Sequence, residues 1–351
     1  MDHLGRITPA VCGRQPLIKK STLVARCMDA DVAMDKLEEI RVIINANLES
    51  LIEEQKSIYG HVAEVSGEIL LAGGKRLRPI ITYLVYQLAG GEDFEEILPL
   101  SMAFELIHTA TLVHDDINDN SDVRRGRPTM HSLVGQAKAI IGGDWLFVQG
   151  FGLGGIYDED VVRVMANCCA EIASAEFMQI DHVLNLATTP EDYLQIVRGK
   201  TAGPFAAAAK GAAMVANSDS KQCDKLFQFG MELGIAFQLV DDLLDITGDE
   251  RIGKNRGSDV YEGKMTLPLI HALTILHGPE REELANIITN FDDTKFDRLI
   301  ELLNIGDSIN YSEILVNNHL QRAKNYLENF DDCEAKTLLS FVISIVRDRN
   351  S

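Results

Sequence analysis

Residues 97–116 read ILPLSMAFELIHTATLVHDD, and residues 229–246 read FGMELGIAFQLVDDLLDI. In both, apolar residues recur three and four apart, the period of a helix with a buried stripe. Both runs end on an aspartate cluster of the same spacing, Asp115-Asp116-x-x-Asp119 and Asp241-Asp242-x-x-Asp245. The helical period also governs LEEIRVIINANLESLI at residues 37–52, and alternating, strand-like runs are scarce. Turn formers gather at Gly73-Gly74, Gly90-Gly91, Gly126–Pro128, Gly142-Gly143, Gly150–Gly155, Thr188–Pro190, Asn217–Ser220, Gly248–Gly257 and Gly278-Pro279, where breaks are expected. The pattern predicts an all-α fold, one large bundle of roughly ten helices.

No Ser/Gly-rich or Pro-rich linker and no internal repeat divides the chain, so a single helical domain is predicted over residues 35–351. Ahead of it, residues 3–28 carry Arg6, Arg14, Lys19, Lys20 and Arg26 without one Asp or Glu. Residues 1–34 are therefore read as a separate extension. It is either an organelle-targeting segment or an untidy stretch before an internal start such as Met28 or Met34.

The net charge of -20 repels nucleic-acid phosphates, so no nucleic-acid partner is expected. No uncharged apolar stretch reaches the ~18 residues that would predict a transmembrane segment. Six cysteines without a CxxC pair argue against zinc and against a disulfide framework, and a reducing, cytoplasmic setting is the expectation.

On a helix, Asp115 and Asp119 share a face, as do Asp241 and Asp245. Carboxylates this close repel one another, and the negative end of the helix dipole adds to the cost. Bound cations would offset it. Hard oxygen ligands select magnesium or manganese, and magnesium takes one or two carboxylates while waters and phosphate oxygens complete its octahedron. One such cluster is commonly a solvated helix end, but two, each closing an apolar helix, point to a metal–diphosphate clamp. Counter-charges stand nearby in sequence: Lys75, Arg76 and Arg78; Arg124, Arg125 and Arg127; then Lys200, Lys254 and Lys264.

GGKRLRP (residues 73–79), HDDINDNSDVRRGRPT (114–129), GKTA (199–202), GIAFQLVDDLLDITGD (234–249) and GKNRGSDVYEGKMTLPL (253–269) together resemble the trans-isoprenyl diphosphate synthases, in their order as well as their residues. The resemblance implies an isoprenoid-synthase bundle around a deep central cavity, usually as a homodimer. It also implies condensation of isopentenyl diphosphate with an allylic diphosphate, with three magnesium ions per site or manganese in their place. Lys75, Arg78, His108 and Arg125 resemble the isopentenyl diphosphate grip. Arg124, Lys200 and Lys264, with Lys254 close by, resemble the cations that meet the allylic diphosphate. Asp115, Asp119 and Asp241 resemble direct metal ligands, with Asp116, Asp242 and Asp245 acting partly through water. Thr201 and Gln238 resemble the residues whose oxygens face the developing carbocation.

Short-chain relatives carry bulky aromatics four and five residues before the first Asp, where this chain has Thr111 and Ala110. With Ile107 and Phe104 as deeper stops, the expected product is C30 or longer, a membrane-partitioning precursor of quinone side chains. The alternatives are a C15–C20 synthase, a terpene cyclase and a non-catalytic partner subunit. A cyclase typically has an Asn/Ser/Glu motif in place of the second Asp cluster, and non-catalytic subunits commonly lack one or both clusters. Two other motifs fail on inspection. The run from Asp116 mimics an EF-hand but has Ser121 and Arg127 where Gly and Glu belong. Gly150, Gly152 and Gly155 fit GxGxxG without a preceding strand. One departure from the family is Gly203-Pro204 after the GKTA segment, where Pro204 is expected to disturb the helix.

Overall fold

The computed structural model describes residues 28–124, 126–248 and 256–348. Most of the N-terminal extension, Arg125 and Lys254 lie outside these described residues. The chain is all-α, as expected. In order it forms α1 (Ala30–Tyr59), α2 (His61–Leu70), α3 (Leu77–Leu88), α4 (Phe94–Asn118), α5 (Met130–Val134), α6 (Gln136–Gly154), α7 (Glu159–Asp181), α8 (Pro190–Val197), α9 (Gly203–Val215) and α10 (Ser220–Thr247). Then follow α11 (Ser258–Tyr261), α12 (Leu267–Ile275), α13 (Gly278–Thr289), α14 (Phe296–Ile305), α15 (Ser308–Leu327) and α16 (Glu334–Arg347). The described residues thus hold more helical segments than the ten expected, because several are one to three turns long. Their only strands pair in a two-residue hairpin, β1 (Val123–Arg124) with β2 (Arg127–Pro128), turned through Gly126 at φ 73°.

α1 begins a turn before residue 35, and Ala33 is already 1% exposed in the core, followed by Leu37, Ile40, Ile44, Leu48 and Ile52. That stripe at spacings of three and four fastens α1 along α2, α3, α4 and α16. The core helix is α4, and by length and composition it is the one described helix able to cross a membrane; 72% of its apolar window is buried inside the bundle. Pro99 lies within α4 and cannot donate a backbone hydrogen bond. At the same turn the Tyr157 hydroxyl donates to Glu96 O (2.6 Å) and accepts from Leu100 N (3.2 Å), linking the two sides of the interrupted ladder.

The break expected at Gly142-Gly143 does not occur, and α6 runs through both glycines. A Cβ on Gly142 would fall 2.1 Å from the Met130 methyl, and one on Gly143 would fall 2.2 Å from His114 Nε2. These glycines allow close packing of α6 on α4 and α5 rather than a turn. Pro204 acts as the sequence suggested, with a defined result. A π-helical turn, Arg198–Ala202, separates α8 from α9, and Gly203 N bonds back to Arg198 O. A proline next in line has no N–H to continue the regular ladder, and the widened turn carries the change of register.

Candidate active site

α10 approaches this widened turn closely because Gly230 and Gly234 face it. A Cβ on Gly230 would lie 2.5 Å from Phe205 O, and one on Gly234 would lie 2.5 Å from Ala202 Cα. One turn further along α10, Gln238 reaches the opposing wall, where its Oε1 accepts from Thr201 Oγ1 at 2.8 Å. The neighbouring Lys200 points to the end of α4, with Nζ 3.3 Å from Asp115 Oδ1 and 2.5 Å from Glu176 Oε2. Lys264, beyond α11, lies 2.8 Å from Asp119 Oδ2 and 2.5 Å from Glu262 Oε2. The two aspartate-bearing helix ends therefore converge on one group of residues, Lys200-Thr201 and Lys264.

The six clustered aspartates divide into two kinds. Asp115 and Asp119 meet ammonium groups, those of Lys200 and Lys264. Burial pushes the Asp115 pKa up, Lys200 pulls it down, and Glu176 and Asp119 add repulsion. For Lys264, burial works against the charged form, but Asp119, Glu262 and Asp259 outweigh it and hold the ammonium above its ordinary range. By contrast, Asp242 is 3% exposed and both its oxygens are engaged, Oδ2 by the Tyr193 hydroxyl (2.6 Å) and Oδ1 by Gln238 Nε2 (2.7 Å). Burial raises its pKa against the pull of those two bonds. Asp245 caps α11, accepting from Ser258 N (3.0 Å), Ser258 Oγ (2.5 Å) and Asp259 N (3.1 Å). Asp116 pairs with Arg124 at 2.6 Å. Asp241, on the same face of α10 as Asp245, also has interactions of its own.

A cavity of about 470 Å³ opens on the flank of α4, lined by Gly73, Glu105, His108, Leu112, Asp116, Arg124 and others. The hairpin presents Arg124 and Arg127 to it as directly opposed residues. Of the expected isopentenyl diphosphate grip, His108 lines this cavity, Lys75 is exposed on the adjoining loop, and Arg78 is buried with its guanidinium 4.6 Å above the Phe205 ring. Arg124 stands with His108 and Asp116 rather than with Lys200 and Lys264. Arg76, read from sequence as a counter-charge, turns inward instead, bonding Glu105, Asn45 and Leu70 O. Among the residues read as chain-length stops, Phe104, Ile107 and Ala110 are each 2% exposed or less. Ile107 packs where Gly150 of α6 leaves room, and the Thr111 hydroxyl folds back on His108 O at 2.7 Å.

Sequence reasoning missed Glu176, Tyr193, Asp259 and Glu262. Asp259 and Glu262 lie inside a motif already quoted, and burial together with Asp245 and Asp242 drives the Asp259 pKa up. Tyr193 precedes Lys200 by two helical turns, a spacing that could have placed it on the same wall. Nothing local distinguishes Glu176. Among the described residues no three His, Cys, Asp or Glu side chains converge on one ion position. The donors that α4 and α10 bring to the site are carboxylate oxygens, the hard ligands magnesium prefers.

The Polyprenyl synthetase family model matches residues 60–304. The short chain isoprenyl diphosphate synthase of Methanocaldococcus jannaschii is 35% identical over 77% of this chain and 83% of that protein. The all-trans-nonaprenyl-diphosphate synthase of Rhodobacter capsulatus is 32% identical over 94% of this chain and 98% of that protein. Among solved structures, the polyprenyl synthase of Caulobacter crescentus, complexed with calcium and isoprenyl diphosphate, superposes with a TM-score of 0.84 at 32% identity, covering 93% and 100% of the two chains. With the end of α4 reaching Lys200 and α10 reaching the adjacent Thr201, and with these relatives alongside, the chain belongs to the polyprenyl synthetase family of isoprenyl diphosphate synthases.

Proposed function

We propose that this protein condenses isopentenyl diphosphate with an allylic diphosphate, using magnesium, and extends the product to an all-trans polyprenyl diphosphate of C30 or longer. The observation that carries the reading is the charge arrangement around the end of α4. Two ammonium groups, Lys200 and Lys264, face four carboxylates, Asp115, Glu176, Asp119 and Glu262. An anionic substrate entering alone meets net repulsion, so divalent cations must accompany it. Asp115 and Asp119, compensated only by flexible lysines, are the first-cluster carboxylates able to exchange those partners for a metal, and Asp241 answers from α10. These carboxylates would hold magnesium, three ions per site with manganese as substitute, and the metal would supply positive charge at the diphosphate leaving group. Lys200 and Lys264 would meet the diphosphate oxygens. Arg124 and His108, with Lys75 and Arg78, hold the second diphosphate, and Thr201 and Gln238 present oxygen to the cationic carbon. The calcium and isoprenyl diphosphate bound by the Caulobacter relative support this assignment.

The long product rests on small side chains at Ala110 and Thr111, with the relatives spanning short and long chains. Incubation with magnesium, farnesyl diphosphate and radiolabelled isopentenyl diphosphate should move label into chains of C30 or longer on chromatography. Products ending at C15 or C20 would replace the long-chain reading by the short-chain one, and an absence of elongation would overturn the function itself.

Two copies are proposed to pair through α6 and α7, where Ile141, Val148 and Phe177 are 59%, 65% and 76% exposed. Apolar side chains of this size are costly to leave in water and mark interaction surfaces. Sedimentation at micromolar concentration should give twice the 38.8 kDa chain mass, and Phe177→Glu should shift it towards the monomer; a monomeric wild type removes the proposal.

A further inference from the structure

Thr201 and Gln238 act through the direction of their dipoles, and that direction is set from behind. The chain of bonds runs Tyr193 Oη to Asp242 Oδ2 (2.6 Å), Asp242 Oδ1 to Gln238 Nε2 (2.7 Å), and Gln238 Oε1 to Thr201 Oγ1 (2.8 Å). Each link follows from what its groups can do. A carboxylate only accepts, so the amide end facing Asp242 is the NH2 and the end facing Thr201 is the oxygen. An amide oxygen also only accepts, so the Thr201 hydroxyl spends its single proton on Gln238 and keeps its lone pairs for the other side. Tyr193 and Asp242 are 5% and 3% exposed, so water does not compete for the bond that anchors the chain.

We propose that Tyr193 and Asp242 are positioning residues for prenyl transfer, locking the Gln238 amide in the orientation that turns the Thr201 lone pairs towards the developing allylic cation. This inference rests on the prenyl-transfer reading above. It also assigns Asp242 a task other than metal binding, since both its oxygens are held within the protein. Its partner Tyr193 comes from a different helix, α8, and donates its hydroxyl proton to Asp242 rather than to Asp115 or Asp119. Losing its hydroxyl should therefore leave diphosphate binding alone.

The test is a kinetic cycle on the full-length protein with Tyr193→Phe, Thr201→Val and the pair. Tyr193→Phe alone should lower kcat about tenfold, the equivalent of one lost hydrogen bond at the transition state, with KM for both diphosphates held within about twofold. In the Thr201→Val background the same change should cost nothing further, because no hydroxyl is left to orient. Equal losses in both backgrounds, an unchanged kcat, or a loss confined to KM would each overturn the inference. If Tyr193→Phe fails to fold, Asp242→Asn takes its place in the cycle under the same expectations. A wild-type protein that elongates nothing sinks the proposed function, whereas an active wild type with an additive cycle sinks only the positioning role.

Discussion

Asp115→Ala should lower turnover by about a thousandfold, the order expected when a ligand of a leaving-group metal is lost, without lowering the melting temperature. The two halves of that expectation have one cause. Burial and the neighbouring Glu176 and Asp119 raise the Asp115 pKa, while Lys200 and, more weakly, Lys264 work the other way. A carboxylate whose folded pKa lies above its unfolded value favours folding at acidic pH, and that contribution is lost as pH rises through the folded value. At neutral pH the ionised group is therefore a burden on the fold, carried for function. Removing it leaves Lys200 still paired with Glu176 at 2.5 Å, so no cation is stranded. Measured product formation and a thermal melt together check this. A variant that keeps near-wild-type turnover would remove Asp115 from the metal site, and one that melts much lower would make it a structural residue.

The division among the six aspartates shows where reading one chain succeeds and where it stops. Helical arithmetic places Asp116 and Asp242 about 100° around the helix from Asp115 and Asp241, and both are indeed turned into the protein, to Arg124 and Tyr193. The apolar period likewise located α4 and α10, because burial along one stripe leaves its mark in every third or fourth residue. Asp245 could not be told from Asp241 this way, since both belong to one face; what separates them is a cap on α11, formed by Ser258 after a turn of the chain. Tertiary partners leave no local period. Glu176 and Tyr193 meet residues 24 or more positions away in sequence or on another helix, and neither carries a flanking motif. Glycine was read as punctuation, which fails at Gly142-Gly143, where the missing side chain serves packing between helices.

Glu105→Ala should destabilise the protein by about 3–5 kcal/mol, the cost typical of breaking a buried ion pair from one side. The Arg76 and Glu105 side chains are 3% and 7% exposed and lie 2.6 Å apart. Arg76 occupies the N-cap of α3 in the left-handed region at φ 50°, a conformation that needs outside support for a side chain of this size. That support is its three-way grip on Glu105, Asn45 and Leu70 O, which joins the Gly73-Gly74 loop to α1, α2 and α4. Without Glu105 the guanidinium keeps two neutral acceptors but has no counter-charge at a side chain only 3% exposed. Replacing both partners, as Arg76→Met with Glu105→Leu, leaves no charge behind and should cost markedly less than Glu105→Ala alone. Urea unfolding separates the cases, as a lowered midpoint at constant m-value for the single variant and a partial return for the pair. Because the same loop carries Lys75 and Glu105 shares its cavity with His108, the single variant should also bind isopentenyl diphosphate more weakly. An unfolding free energy within about 0.5 kcal/mol of wild type, the range of ordinary surface substitutions, would show that the loop is held by its backbone and not by this pair.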